Sequence, residues 1–267
     1  MSDFNGPSGK SLERIEADFG KNFYLFSEDS IIRNLKEKEQ LLQNPDFLVF
    51  VKVSYAPNPY LIKIIKANKN FGLACSAMHE LLIAEKAGFR ESQVMFIYDS
   101  YDDNALLYAN LRGFRLCVRS YENLLKAESL LSQLPYSLSL SQMQDAEIVK
   151  AFSYCEDKGV ENIYINAENE SLSETGRSLS KLALCKKLAP CHADTGVTVT
   201  LGKNIFVPYC SNLPEWSRDD AQSSCLFRHM ELLEKADGSI VKIRRAETMD
   251  EYFSGIDFTA LGSSCSH

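Results

Sequence analysis

Phe47-Leu-Val-Phe-Val-Lys52-Val-Ser-Tyr-Ala-Pro-Asn-Pro59 decides the reading of this chain. Five apolar residues run straight into Lys52, a polar turn with two prolines follows, and Tyr60-Leu-Ile-Lys-Ile-Ile-Lys opens a helical pattern. A short run rich in Val and Phe, bounded by turn residues, predicts a strand buried on both faces. Such strands belong to parallel sheets covered by helices. A lysine there either snorkels to water at the strand end, the more frequent outcome for lysine, or offers its amine as a nucleophile.

Outward from this stretch the chain alternates. Phe71-Gly-Leu-Ala-Cys-Ser reads as a strand, and Met78 to Ala87 as a helix stopped by Gly88. Val94-Met-Phe-Ile-Tyr is a strand with a helix over Asp102 to Leu111, and Phe114-Arg-Leu-Cys-Val is a strand with a helix from Tyr121 to Leu134. Repeated β-α order without reversal predicts a parallel sheet with right-handed crossovers. A triosephosphate-isomerase-type barrel and an open doubly wound sheet both give this periodicity. Beyond, Tyr136-Ser-Leu-Ser-Leu-Ser alternates like a strand with one wet face. Met143 to Lys158 is helical, Glu161-Asn-Ile-Tyr-Ile-Asn is a strand, and residues 185–215 are short β pieces. Upstream, residues 1–10 read as a loose tail and Phe23-Tyr-Leu-Phe as a strand, with a capped, charged helix from Ser27 to about Leu42. Near the end, Cys225 to Lys235 is helical or extended, Asp237-Gly238 a hairpin turn, Ser239 to Arg245 a returning strand, and Ala246 to Phe253 a helix.

Val49-Phe-Val-Lys-Val-Ser followed by Asn58-Pro-Tyr-Leu-Ile-Lys-Ile-Ile resembles the first barrel strand and helix of the fold-type III pyridoxal-phosphate (PLP) decarboxylases, the family of the diaminopimelate, ornithine and arginine decarboxylases. Glu-Leu-Leu-Ile-Ala-Glu-Lys-Ala-Gly-Phe, from Glu80, is similar to that family's second helix and turn. Glu174-Thr-Gly-Arg-Ser178 is similar to its late Glu-x-Gly-Arg motif, and Ala236 to Phe253 resembles its C-terminal end. The resemblance implies an alanine-racemase/TIM-type (β/α) barrel, incomplete, with a small C-terminal β-rich domain. The division expected is a tail over 1–20, a PLP-binding barrel over 21–180 and the β-rich domain over 181–267.

It further implies that Lys52 carries PLP as a Schiff base, that Glu174 faces the ring nitrogen, and that Gly176 and Arg177 hold the phosphate. The residue types suit these roles. A carboxylate keeps the ring nitrogen protonated, glycine admits the backbone to the phosphate, and a guanidinium pairs with phosphate oxygens. The family's cross-subunit catalytic cysteine has no recognisable motif here, and Cys225 is the candidate by residue type, with Cys265 beside it. The family's Gly-rich phosphate loop and ring-stacking histidine have no counterpart between the fourth strand and Glu174. His192 and His229 are the other candidate acids. An amino-acid decarboxylase acting on a basic or diamino acid is the expectation. The alternative is a catalytically impaired homologue that binds PLP or a partner subunit and regulates an active relative.

Composition narrows the classes. With 267 residues, 45% hydrophobic and 24% charged, the chain can bury an ordinary core. A net charge of −7 argues against nucleic acid. No apolar run reaches membrane-spanning length. Met1 to Gly9 lacks signal-peptide features, so a cytoplasmic protein is expected, a homodimer like the family it resembles. The eight cysteines form no Cys-x-x-Cys pair, which predicts free thiols and no zinc site. Cys191-His192 with Asp194 is set aside as a nucleophile–base set, because adjacent residues rarely face each other.

Overall fold

The structure is a computed structural model that describes residues 11–21, 23–39, 47–55, 58–68, 70–99, 101–131, 137–139, 143–159, 162–169, 194–201, 205, 210–211 and 230–243. The chain divides into two compact units, residues 1–37, 55–64 and 203–267 in one, and 38–54 with 65–202 in the other.

The first unit is a four-stranded sheet. Strand β1 (Phe23–Ser27) lies inside it, parallel to β10 (Met230–Glu234) on one side and antiparallel to β9 (Cys210–Ser211) on the other; β11 (Ile240–Ile243) completes the edge. The β10–β11 hairpin turns where Asp237-Gly238 predicts it, with Gly238 at φ 77° and Asp237 Oδ1 accepting the Ser239 N–H at 2.9 Å. Helix α1 (Leu12–Phe19) is absent from the sequence expectation, although its caps are ordinary. The Ser11 side chain accepts the Arg14 N–H, and Gly20 closes it at φ 93°. Its Ile15 packs with Phe23, Leu25 and Leu232, sealing one face of the sheet. Helix α2 (Glu28–Lys38) starts where Ser27 Oγ accepts the Ser30 N–H at 3.2 Å.

The second unit is a closed barrel of seven parallel strands: β2 (Phe47–Lys52), β3 (Gly72–Cys75), β4 (Val94–Tyr98), β5 (Arg115–Val118), β6 (Ser137–Ser139), β7 (Asn162–Asn169) and β8 (Asp194–Leu201). Phe47 to Val51 pair with Val197 to Leu201, so the last strand returns to the first. This closure excludes the doubly wound sheet. Among the described residues the barrel has seven strands, one fewer than the eight of the common TIM form. Helices α4 (Met78–Lys86), α5 (Asp103–Leu111), α6 (Tyr121–Leu130) and α7 (Asp145–Asp157) follow β3, β4, β5 and β6, and α3 (Pro59–Ala67) follows β2 after a 3₁₀ turn over Val53–Tyr55. The helices bury Leu81, Leu106, Leu124 and Phe152.

Two walls line the interior. Paired residues on parallel neighbours share a face. On one side Phe50, Ala74, Met95, Ile97 and Cys117 form a single apolar cluster, with Leu48 against it. Gly72 is required here: a Cβ would sit 2.6 Å from the Phe50 ring and 2.5 Å from the Gln93 carbonyl oxygen. Across β6 to β8 the same face is polar. Cys117 pairs with Ser137, Ser139 with Asn166, Asn166 with Thr198, and Phe50 with Thr200. All five of these polar side chains are buried. Over Ser137–Ser139, the described part of the alternation read as a wet face, the serines are on a polar inward face. Serine facing a small barrel interior gives the same pattern as serine facing solvent. The three described cysteines, Cys75, Cys117 and Cys155, are buried thiols, in line with the expectation for them. No described helix is long and apolar enough to cross a membrane, and no metal-ligating cluster occurs among the described residues.

Candidate active site

Lys52 is the last residue of β2, at the C-terminal end of the barrel, where βα loops build active sites. It is 6% exposed, so its side chain does not snorkel to bulk water. The strand needs Val49 and Val51 on the helix side and Leu48 and Phe50 on the inner side, and the two-residue period places Lys52 inward. Its register partner Ala74 leaves room for the long side chain.

A buried acid accompanies it. Glu80, in the first turn of α4, is 3% exposed. Its Oε2 accepts the Ser76 N–H at 2.5 Å. Burial pushes the carboxyl from 4.5 up to about 7, against the opposing pull of the Ser76 and Ala77 N–H groups and of the Lys52 charge. In the sequence Glu80 belongs to a helix motif only, and the family's usual place for an acid, after the second strand, falls on Leu73 or Ala74. The signal that could have found it is a glutamate four residues after a strand-ending Cys-Ser, inside the first turn of an otherwise apolar helix face. Glu80 also raises the neighbouring Cys75 thiol, already pushed up by burial, which keeps that sulfur protonated and inert.

The β4 and β5 loops on the same end are held by charge. Asp99 pairs with Arg119. Asp103 Oδ1 accepts the Tyr98 hydroxyl at 2.5 Å and the Lys126 ammonium at 2.8 Å. Asp102 caps α5 through the Ala105 N–H at 2.9 Å, and Ser120 caps α6 through the Asn123 N–H at 3.0 Å. Inside, Thr198 Oγ1 and Thr200 Oγ1 donate to Asn166 Oδ1 at 3.1 and 2.9 Å.

Among the described residues Lys52 and Glu80 interact through charge, and the polar wall is on the same inward face of the barrel as Lys52. Glu174, Gly176, Arg177, Cys225, Cys265, Cys191, His192 and His229 lie outside them, as do the tail over 1–10 and the terminal helix over 246–253. His79, exposed on α4, is the histidine among the described residues.

No family model matches the sequence, and no curated protein matches it. Solved structures do. The arginine decarboxylase of Paramecium bursaria Chlorella virus, bound to agmatine, superposes with a TM-score of 0.60 at 12% identity, over 87% of each chain. Diaminopimelate decarboxylase from Helicobacter pylori, complexed with L-lysine, gives 0.58 at 11%, over 91% of this chain and 98% of the other. A protein from Aquifex aeolicus gives 0.56 at 16%, and this chain spans 62% of its length. The chain thus carries the barrel fold of the diaminopimelate and arginine decarboxylases.

Proposed function

We propose that this chain is a PLP-binding protein related to amino-acid decarboxylases, with Lys52 as the residue that holds the cofactor covalently. The observation that carries the reading is a lysine buried at the C-terminal end of a barrel strand with a buried acid under its charge. The strand end fits an aldehyde-bearing cofactor: a buried amine beside Ala74, with Glu80 acting on its charge, on the rim where barrel enzymes react. When bound, PLP supplies a conjugated ring that accepts the electrons released at an amino acid's α carbon.

The protein's own residues would prepare that step. Glu80, pushed up by burial to about 7 with the Lys52 charge acting on it, is the group placed to accept the proton that Lys52 must shed before its amine can attack a carbonyl carbon. Ser76 and Ala77 N–H groups orient its carboxylate. The Asp99–Arg119 pair and the Asp103 hub fix the β4 and β5 loops. Glu174 is assigned to the ring nitrogen, Gly176 and Arg177 to the phosphate, and Cys225 to a catalytic acid, on the resemblance of their motif or type. The substrate class is a basic or diamino acid, and the assembly a homodimer. Light scattering that finds only monomer at micromolar concentration rejects the dimer.

A second reading, a binding protein with impaired chemistry that regulates an active relative, is favoured by the wall of β6 to β8. Its buried side chains are Ser137, Ser139, Asn166, Thr198 and Thr200, none of which titrates near neutral pH, and Glu168 pairs with Thr200 at the end of that face.

The test is borohydride reduction of the full chain saturated with PLP, followed by peptide mass mapping. A pyridoxyl group is expected on Lys52. A label on another lysine, or none, overturns the reading.

A further inference from the structure

We propose that the inner wall of β6, β7 and β8 receives the carboxylate of a carbonyl compound or amino acid that reaches Lys52, with the Asn166 amide as its hydrogen-bonding head. The proposal rests on the reading of Lys52 as the reactive amine.

Asn166 is fully buried, and its two ends are treated differently. Oδ1 accepts hydrogen bonds from both Thr198 and Thr200. Nδ2 has no hydrogen-bond partner. A buried amide nitrogen left unpaired costs more than an ordinary hydrogen bond returns, so the arrangement is complete only with an acceptor beside it. Both threonines stand on β8. An amide whose oxygen is held toward β8 turns its nitrogen away from that strand, to the β6 side of the inward face. Two hydroxyls on one oxygen also prevent the amide from swinging to a partner of its own.

The wall is not what a barrel interior needs for packing. Branched apolar side chains commonly fill one, as Leu48, Met95 and Ile97 do on the opposite side. Ser137, Ser139, Thr198 and Thr200 give up that packing around Asn166.

Position joins the wall to Lys52. The register of a closed barrel climbs from strand to strand. Ser139 is the last residue of β6, Thr200 is one from the end of β8, and Asn166 pairs with Ser139. They therefore share the C-terminal end with Lys52, the last residue of β2. A short ligand can then place a carbonyl at the amine and its carboxylate at the amide. A water molecule would satisfy Nδ2 alone. A carboxylate is the strongest acceptor that an amino acid or an oxo acid carries, and it would share the Lys52 charge with Glu80, which is why we assign that group.

The probe is glyoxylate, an aldehyde with a carboxylate, compared with acetaldehyde, which has none. The unprotonated Lys52 amine attacks the aldehyde carbon, a C–N bond forms, and the carbonyl oxygen leaves as water. Added cyanoborohydride delivers hydride to that carbon and fixes a stable secondary amine. Labelling of Lys52 in the full chain is read by peptide mass spectrometry, with the glyoxylate-to-acetaldehyde ratio normalised to free N-acetyl-lysine. The ratio is expected to exceed that of the free amine. It should fall about tenfold or more in Asn166→Asp, the size of one hydrogen bond to a charged group, the ratio to acetaldehyde cancelling any change in the amine's own reactivity. Thr200→Val, which releases one anchor of the amide, should lower it in the same direction and guards against a folding defect in the first variant. A ratio equal to that of free N-acetyl-lysine, or one unmoved by both substitutions, overturns the carboxylate site and leaves Lys52 standing. Failure of both aldehydes to label Lys52 overturns the reactive lysine and this site with it.

Discussion

At the scale of single residues, the decisive features are polar groups placed where apolar ones would pack. Lys52 was legible because charge stands out in Phe47-Leu-Val-Phe-Val-Lys. Glu80 was not, since a glutamate in a first helical turn ordinarily serves the helix dipole and only the fold shows that this one is buried. Its titration has a thermodynamic consequence. The folded group titrates near 7 against an ordinary 4.5. Between these values the folded chain keeps a proton that the unfolded chain has lost, so stability falls as pH rises through this window and is level above it. The span corresponds to about 3 kcal/mol. Urea unfolding from pH 4 to 8 should show this decline, and Glu80→Gln should remove most of it. Parallel curves for the two proteins would refute the assignment. Gly72→Ala should destabilise by about 1–3 kcal/mol, as overpacking does, because the added methyl meets the Gln93 carbonyl oxygen as well as the Phe50 ring. An unchanged denaturation midpoint would contradict that geometry.

At the scale of elements, local signals served well and pairing signals poorly. The helices over Asp103–Leu111 and Tyr121–Leu130 begin at Asp102 and Ser120, whose side chains cap them. The cap chemistry is in the sequence itself. Asp102→Ala should cost about 1 kcal/mol, read by chemical denaturation, and a loss within error would show that the Asp103 hub alone anchors that loop. Strand partners are a different matter. Nothing local in Phe23-Tyr-Leu-Phe announces that it pairs with Met230 to Leu233, at the far end of the chain. Nor does the alternation of Tyr136 to Ser141 say whether serine meets water or the inside of a barrel. The direction of a period-two pattern is set by tertiary closure, and closure here is the pairing of β2 with β8.

At the scale of the whole molecule, the barrel's order was legible from repeated β-α units and from the resemblance of a few motifs. The strand count was not. The two readings of function part on chemistry at this scale. Binding PLP needs an amine and anchors for the ring and phosphate; rapid decarboxylation also needs a proton donor held at the reacting carbon. The buried side chains of β6 to β8 are hydroxyls and an amide, with Glu168 paired to Thr200 at the end of that face; Glu80 is engaged by the Lys52 charge and the Ser76 N–H, and the described residues hold no imidazole except the exposed His79. A general acid typically contributes about 10²–10⁴-fold, and a poorly positioned ring loses more. Decarboxylation by the PLP-saturated chain is therefore expected to be weak or absent with lysine, ornithine, arginine and meso-diaminopimelate, even where Lys52 is fully labelled. The check is carbon dioxide release at steady state. Turnover at or above about 1 s⁻¹, within the usual enzyme range, would show that an acid outside the barrel wall has taken the role. Substituting Cys225, Cys265, His192 and His229 in turn would then identify it, since only the acid's loss should abolish turnover while leaving the pyridoxyl label on Lys52 intact.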